Sequence, residues 1–565
     1  MTPADNLRSE IDDKTRALVH CGYEGNASER LLDVVRAVSW RYFEHLFVEP
    51  DPESSTEATL KKALALRAGN VALSLFQSHE TQQQLADPGT ESAQRNRWAD
   101  GTLEALGELW CAKHHLVCAT TGLARLVQAG PSSFHFLFEL RHSGLEALER
   151  EDAYPNLPSE LEEEYAELWR SSIAIEAALA ETVRRGGRNP VHVTDPGFQA
   201  HFRRIGEISA RLMVGYDAFL PDSQFGGVSF ELFRDVVGSL AGIGHEHFAL
   251  SRAIGPQPGR SDRRVLAPVY QVSTLVDRLH VELDADPEKI RAVLDLLTLT
   301  PDNAPDHREA YDSALPPLVR WGPAHVALCS AGCIAAPMEF LLEELRSKHE
   351  KEWNIANQER ESIWRDEIYA ILPTDPKRFV VTRERKPIKR ADKSELTDID
   401  ALVFDRSTGV LGLLQLKWQD VFARDMAKRA SKSANFVLKA GDWVNRTHTW
   451  LRGRSMEKVF EQLSLRKRDA ERCTEIKLIV LGRYFAHFSG QHTPDPRAAW
   501  GTWGQVQRLL AGTQQGPDEY RADPVRWLVE ALRRDSPLNR MHEVSLEATH
   551  AELMLQGIHL RVELA

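Results

Sequence analysis

Apolar residues recur at helical spacing through most of the first 340 residues. Long stretches repeat their apolar positions about every 3.6 residues, the period of an amphipathic helix, and few stretches alternate as half-buried strands do. Residues 184–197 include three Gly and two Pro, which interrupt helices, so we expect a joint there between two helical domains, 1–190 and 191–345. The clearest helical patterns cover residues 58–77, 101–127, 160–184 and 232–253.

The pattern changes near residue 400, where two short apolar runs flank a turn. The runs cover 399–404 and 410–417, and both are apolar at consecutive positions, as in strands that are buried on both faces. Residues 405–409, Asp-Arg-Ser-Thr-Gly, are types that reverse a chain, and Gly409 can adopt a positive φ. The sequence therefore predicts a β-hairpin inside a sheet that helices cover.

Four further elements are predicted around this hairpin. A helix covers 348–372, a strand covers 378–382, a second helix covers 420–450, and a buried strand covers 475–482. Such an order of helices and strands is typical of an α/β domain. The expected fold is therefore multi-domain, with a mainly α-helical N-terminal half and a C-terminal α/β domain at 346–565.

Three polar residues interrupt the apolar hairpin, namely Asp400, Gln415 and Lys417. Because strand residues alternate between faces, Gln415 and Lys417 share one face and Leu416 lies on the other. Burying such polar groups costs free energy unless they are paired, hydrogen-bonded or bound to a metal. One interpretation is an ion pair between Asp400 and Lys417, with Gln415 as a hydrogen-bonded neighbour. The other is a Mg²⁺ site, because carboxylate and amide oxygens are hard ligands.

A carboxylate from the preceding helix could complete such a site. In the helix predicted over 348–372, Trp364 and Ile368 lie on one stripe, Glu361 falls on the same stripe, and Glu367 lies at its edge. We favour Glu361, because about three turns of helix then separate it from the next strand. Glu367 is the alternative, and either residue could instead be a solvated surface charge.

The string Asp398-Ile399-Asp400, followed by Gln415-Leu416-Lys417 and preceded by an acidic helix, resembles the motif of the PD-(D/E)XK nuclease superfamily. The resemblance covers about residues 346–490, in the variant with Gln at the usual acidic position. It implies a restriction-endonuclease-like domain with a mixed central sheet, in which helix, strand, hairpin, helix and strand follow one another. It also implies that Asp400, Gln415, the Leu416 carbonyl and Glu361 hold Mg²⁺ or Mn²⁺. Lys417 would orient or deprotonate the attacking water, and Asp398 is the alternative to Asp400.

This resemblance implies a metal-dependent endonuclease that acts on nucleic acid, with DNA as the expected substrate, and that leaves a 5′-phosphate. Gln415 departs from the usual motif, because an amide contributes no negative charge and should bind a metal more weakly than a carboxylate. The alternative is therefore a weak or inactive nuclease-fold protein that binds nucleic acid or acts as a scaffold.

Charge is distributed unevenly along the 565 residues, although the net charge is −12. Residues 341–565 contain 38 Lys and Arg against 33 Asp and Glu, whereas residues 1–340 contain 32 against 49. Within 377–472 the numbers are 23 and 13, so positive charge concentrates around the hairpin, as a surface that follows phosphates requires. The acidic half could bind a partner protein. The residues expected to contact the nucleic-acid backbone are Arg424, Lys428, Arg429, Lys432, Lys439 and Arg446 on the second helix, with Arg383, Arg385, Lys386, Lys389 and Arg390 before the hairpin.

Composition favours a cytoplasmic protein. The six cysteines do not form a disulfide framework, the N-terminal residues lack a secretory pattern, and the best apolar run, 326–338, is too short to span a bilayer. Cutting both strands of a duplex with one site per chain would favour a homodimer. A role in bacterial defence against phage is expected only by analogy with other nucleases that carry large helical domains.

Overall fold

The computed structural model has a mixed α/β architecture in which helices predominate. The residues that it describes are 2–19, 22–48, 55–83, 87–88, 92–138, 148, 159–186, 189–192, 196–254, 263–309, 314–373, 375, 377–418, 426–486, 493–510, 517–537, 539–540 and 550–564. None of the helices within these ranges is long and apolar enough to cross a membrane.

The part before residue 349 is built mainly from helices, with short strands between them. Its helices are Pro3–Val19, Ala27–Phe47, Thr56–Arg67, Gly69–Phe76, Ala93–Thr120, Ser159–Thr182, Pro196–Arg211, Phe230–Ile254, Val272–Leu283, Pro287–Leu296, Ala304–Glu309, Ser330–Ala335 and Pro337–Lys348, with 3₁₀ turns at His79–Gln82 and Arg263–Leu266. Its strands are Ala124–Gly130, Ser133–Phe138, Val183–Gly186, Asn189–His192, Gln224–Phe225, Val228–Ser229, Val269–Gln271, Thr298–Leu299, Leu318–Arg320 and His325–Leu328.

The helices predicted over 160–184 and 232–253 are confirmed within a few residues, whereas the other two predictions need correction. The pattern over 58–77 forms two helices that meet at Ala68. The helix predicted over 101–127 ends at Thr120, because Gly122 takes a left-handed conformation with φ +79°. The residues that follow form the strand Ala124–Gly130, which pairs with Ser133–Phe138.

The hydrophobic cores do not follow the predicted domain boundaries. Val38 and Leu103 share one core with Leu315 and Val319, so a boundary at 190 divides residues that pack together. At the other end of the chain, the strands His550–Leu555 and Ile558–Leu564 form a hairpin, and Ile558–Leu564 pairs in parallel with Ser133–Phe138. Residues 550–564 therefore belong to the sheet of the helical part, which corrects the assignment of 346–565 to one domain.

A five-stranded mixed sheet forms the centre of the C-terminal part. The first two pairings along the sheet are antiparallel and the last two are parallel. The hairpin turn is as predicted, since Gly409 has φ +73°. In spatial order the strands are Phe379–Val381, Ala401–Asp405, Val410–Lys417, Glu475–Gly482 and Ala498–Thr502.

The first hairpin strand is shorter than the run 399–404 predicts, because the chain bends at Asp400. Residues Glu395–Ile399 pair with Lys386–Lys389 in a separate two-stranded sheet, and the central strand begins at Ala401. The Asp400 backbone N–H still donates to the Leu414 carbonyl, over 3.1 Å. Asp400 therefore lies at the junction of the two sheets.

Helices cover both faces of the central sheet. Leu402, Leu411 and Leu413 pack on one face with Phe436 and Trp443 of the helix Met426–Leu451. The opposite face carries the helix Glu350–Ala370 together with helices near the C-terminal end. The remaining helices of this part are Met456–Gln462, Lys467–Ala470, Trp503–Leu510, Asp518–Ala522 and Pro524–Arg534.

The helix Glu350–Ala370, called the acidic helix below, belongs to two cores. Trp353 and Ala356 pack among residues of the helical part. Trp364 and Ile368, two to three turns later, pack against the central sheet. One continuous helix therefore connects the helical part to the sheet that carries the hairpin.

Candidate functional site

The hairpin brings the carboxylate of Asp400 against the strand that carries Gln415. The Gln415 side-chain amide donates a hydrogen bond to Asp400 Oδ2, and the Leu416 backbone N–H donates to the same oxygen over 2.8 Å. Both Asp400 and Gln415 are buried. Two residues fifteen positions apart in the sequence are thus in direct contact, as the predicted hairpin requires.

The electrostatic environment of Asp400 includes the other predicted site residues. The pKa of Asp400 is raised to about 7, mainly by burial; the charge of Lys417 opposes this shift, and the charges of Asp398 and Glu361 contribute to it. These charges act on Asp400 because Lys417 ends the adjacent strand and Asp398 lies two residues before the bend. A carboxyl group that titrates near neutral pH is a feature of functional sites more often than of ordinary surfaces.

The two candidate carboxylates of the acidic helix have different partners. Glu361 is exposed, and its charge reaches Asp400. Glu367 instead forms an ion pair with Arg483, which follows the strand Glu475–Gly482. Glu361 is therefore within electrostatic range of Asp400, whereas Glu367 is paired with Arg483.

The donor groups at this site fit a hard cation. A strand residue directs its N–H and C=O to the same side, so the Leu416 carbonyl points to the side of Asp400, where its N–H donates. The Lys417 carbonyl points the other way and accepts from the Arg483 N–H over 3.0 Å. Asp400, Glu361, the Leu416 carbonyl and the Gln415 amide oxygen would form an all-oxygen set, which suits Mg²⁺ or Mn²⁺.

Two features count against metal binding by these oxygen ligands. Gln415 directs its amide N–H₂ to Asp400, so the side chain must rotate by half a turn to present its oxygen to a cation. The described part of the chain also contains no group of three or more His, Cys, Asp or Glu side chains placed to hold a metal ion. The site offers two carboxylates, so the amide and the backbone carbonyl would have to supply the other protein ligands.

No protein-family model, curated protein or solved structure matches this chain. The resemblance to the PD-(D/E)XK nucleases therefore depends on the motif and on the order of elements around it. The function has to be argued from the geometry of the site.

Arg365 is a residue of the site that the sequence did not indicate. It is buried, its Nε donates to the Asp400 carbonyl, and its Nη1 donates to the Arg383 carbonyl over 2.9 Å. One turn along the same helix, the Tyr369 hydroxyl accepts from the Leu402 N–H over 3.0 Å. These contacts attach the acidic helix to the bend at Asp400. The sequence signal for this role is the position of Arg365, which lies four residues after Glu361 and beside the apolar positions Trp364 and Ile368 of the helical stripe.

The predicted basic residues of the helix Met426–Leu451 differ in their surroundings. Lys428 forms an ion pair with Glu343 over 2.6 Å, and Arg429 is buried. Lys432 is half-buried, Lys439 is exposed, and Arg446 pairs with Asp442 over 2.6 Å. Arg424 lies outside the described residues. Part of this positive charge is therefore used within the protein, and only some of it faces solvent.

The basic residues before the hairpin form a more exposed group. Arg383, Lys389 and Arg390 are exposed, and Lys386 is half-buried. Arg385 is exposed and pairs with both Glu395 and Asp398. The second pair, over 2.7 Å, occupies Asp398, the alternative to Asp400. The strand Lys386–Lys389 pairs with Glu395–Ile399, and Lys386 lies opposite Ile399, so this group lies along the strand pair that leads to Asp400.

Proposed function

We propose that this protein is a metal-dependent phosphodiesterase, an endonuclease of the PD-(D/E)XK type that acts on DNA. The observation that carries the proposal is the contact of Asp400 with Gln415 and Leu416, with the charges of Lys417 and Glu361 acting on the same carboxylate. The mixed sheet supports a restriction-endonuclease-like domain, because the resemblance implies a mixed central sheet in which a hairpin precedes a further strand.

In the proposed mechanism, Asp400, Gln415, the Leu416 carbonyl and Glu361 would hold Mg²⁺ or Mn²⁺. The bound cation supplies Lewis-acid chemistry at the phosphate and a more acidic water. Lys417 follows Gln415 on the same strand face, so its ammonium group can neutralise charge that develops on the scissile phosphate. Arg365 holds the bend that carries Asp400, and exposed residues such as Arg383 and Lys389 would contact the phosphate backbone without reading bases.

Cleavage assays with plasmid, single-stranded DNA and RNA, with and without Mn²⁺, test this proposal. The variants are Asp400→Asn and Lys417→Met, and the control is Lys467→Ala, a largely exposed lysine of the same part of the chain. We expect Mn²⁺-dependent cleavage by the wild type and the control, and a loss of at least about a hundredfold in both site variants. Equal cleavage by all four proteins would overturn the proposal.

The contact between Gln415 and Asp400 also favours a second candidate function. The amide N–H₂ satisfies the carboxylate without a metal, as in a nuclease-fold protein that only binds nucleic acid. Calorimetry with Mn²⁺ and the variant Gln415→Glu separate the two functions. An active site should bind Mn²⁺, and Gln415→Glu should bind it about tenfold more tightly because of the added charge. DNA binding without Mn²⁺ uptake by either protein would favour the binding function.

A further inference from the structure

A loop of the helical part contacts the end of the strand that carries Lys417. The loop follows the helix Pro196–Arg211, and it carries Asp217. Asp217 Oδ2 accepts from the Arg483 guanidinium, over 3.2 Å from Nε and 2.5 Å from Nη2. Asp217 Oδ1 accepts from the Tyr484 hydroxyl over 2.7 Å. A carboxylate from residue 217 is therefore bound to two consecutive residues of the C-terminal part.

Arg483 joins this loop to both elements of the candidate site. Its backbone N–H donates to the Lys417 carbonyl over 3.0 Å, and its guanidinium also pairs with Glu367 of the acidic helix. The guanidinium lies over the Trp418 ring, 4.4 Å from the ring centre. The Arg483 side chain is 8% exposed, so its charge depends on the two carboxylates that it contacts.

A second arginine, Arg360, connects the same loop to the same two elements. Arg360 directly precedes Glu361, and it donates to the Ala218 carbonyl over 3.2 Å and to the Trp418 carbonyl over 3.3 Å. Its guanidinium lies 5.2 Å from the ring centre of Phe219 and 5.3 Å from that of Trp418. The loop thus contacts the acidic helix next to Glu361 and the hairpin strand next to Lys417.

The loop is anchored firmly in the helical part. Phe219 is buried, its ring lies edge-on to Trp353 with centres 4.6 Å apart, and it packs with Phe225 and Phe230. A rigid aromatic core therefore holds the loop in a fixed position. The residues that follow Lys417 and precede Glu361 take their positions partly from this core.

We infer that Asp217 is a positioning residue, through which the helical part holds Lys417 and Glu361 in the geometry needed for catalysis. This inference rests on the proposed nuclease function and adds a role for the helical part. Removing the Asp217 carboxylate leaves buried Arg483 with one carboxylate instead of two. The Lys417–Trp418 strand end should then move more freely, and displacements of about 1 Å at a catalytic group can lower rates by large factors.

The test uses the full chain with Asp217→Asn and Asp217→Ala, and Asp222→Asn is the matched control because Asp222 is an exposed carboxylate in the same connection. In Mn²⁺-dependent plasmid cleavage, we expect kcat to fall about tenfold in both Asp217 variants while KM changes less than about twofold. Hydrogen exchange should accelerate at the amides of 417–418 and 483–484. It should stay unchanged at 410–414, in the centre of the sheet. We expect wild-type values from Asp222→Asn.

Each outcome bears on the inference. Wild-type kcat with unchanged exchange in Asp217→Asn would overturn it, and so would an equal loss of kcat in Asp222→Asn. Faster exchange at 483–484 together with an undiminished kcat would show that the contact is structural only. If the wild type cleaves nothing, the proposed function fails first. In that case the role of Asp217 in catalysis is overturned as well. Hydrogen exchange in the Asp217 variants still shows whether Asp217 holds the end of the strand that carries Lys417.

Discussion

At the scale of single residues, the defining feature is a buried carboxyl group that titrates near neutral pH. Asp400 is 7% exposed, and burial raises its pKa to about 7 while Lys417 lowers it. Since the pKa in the folded state lies above that in the unfolded state, ionisation of Asp400 destabilises the metal-free fold as pH rises from about 4 to about 7. A bound cation would remove this cost, which links metal binding to stability.

The first prediction follows from the raised pKa of Asp400. In EDTA, Asp400→Asn should stabilise the protein at pH 8 relative to the wild type, because Asn resembles the protonated carboxyl group. The gain should be at most about 4 kcal/mol at pH 8, and it should shrink towards pH 4. Urea unfolding monitored at pH 4.5 and pH 8 measures this gain.

Asp405→Asn provides a matched control, because the pKa of Asp405 is shifted in the opposite direction. Burial opposes ionisation of Asp405, but hydrogen bonds from Arg378 and Ser407 outweigh burial and lower its pKa. The stabilisation from ionised Asp405 is therefore present at pH 8 and lost as pH falls, so the Asn variant should lose more stability at pH 8 than at low pH. A gain for Asp400→Asn that does not vary with pH would contradict the first prediction.

At the scale of elements, the hairpin and the acidic helix build the site together. The hairpin turn requires Gly409 in a left-handed conformation, and an added Cβ there would clash with the Arg472 carbonyl oxygen. The acidic helix is attached to the bend at Asp400 through Arg365. Single substitutions at Gly409 and Arg365 therefore test the two elements one at a time.

Gly409→Ala should destabilise the central sheet by about 1–3 kcal/mol, because Ala cannot adopt this backbone conformation without strain or avoid the carbonyl. The control is Gly441→Ala in the helix Met426–Leu451, where an added Cβ has no neighbour within 4 Å. That change should stabilise the protein by about 0.5–1 kcal/mol. Thermal unfolding compares the two variants, and equal effects would count against this description of the turn.

Arg365→Met should weaken the attachment of the acidic helix to the bend, although the contact of Tyr369 with Leu402 remains. It leaves the carbonyls of Asp400 and Arg383 without their donor, at a cost of about 1–3 kcal/mol in stability. Cleavage should fall about tenfold or more, since Asp400 and Glu361 then lose their common support. Asp366→Asn, an exposed change on the same helix, is the control for both measurements. Wild-type cleavage by a folded Arg365→Met protein would argue against this role.

At the scale of the whole molecule, the last two strands join a sheet and a core of the helical part. The strand Ile558–Leu564 lies between Ser133–Phe138 and His550–Leu555. Ile558 and Leu560 are buried in a core with Leu7, which belongs to the first helix. The C-terminal part with the hairpin therefore lies between two segments of one structural unit.

Ile558→Ala should lower the stability of this terminal sheet by about 2–5 kcal/mol, because it creates a cavity in a closed core. Hydrogen exchange at 133–138 should accelerate, whereas exchange at 410–417 in the central sheet should change little. Met554→Ala is the control, since Met554 is 64% exposed on the neighbouring strand. Acceleration of equal size in both sheets would indicate that the two sheets unfold as one unit.

The sequence by itself determined the elements around the site. The strands Val410–Lys417 and Glu475–Gly482 have the predicted bounds, and the turn at Gly409 has the predicted conformation. Apolar periodicity and turn chemistry specify such features locally, because they depend on residues that are close in sequence. The pairing of Asp400 with Gln415 followed from the hairpin for the same reason.

Only the tertiary structure showed that Glu367 pairs with Arg483, placed the bend at Asp400, and showed the contacts of Arg365 and Asp217. It also showed that Lys428 pairs with Glu343 and that the strand Ile558–Leu564 pairs with Ser133–Phe138. Each of these features joins side chains or strands that lie on different elements. Local sequence patterns carry little information about such contacts, because packing between distant segments determines which partner each buried charge and each strand edge finds.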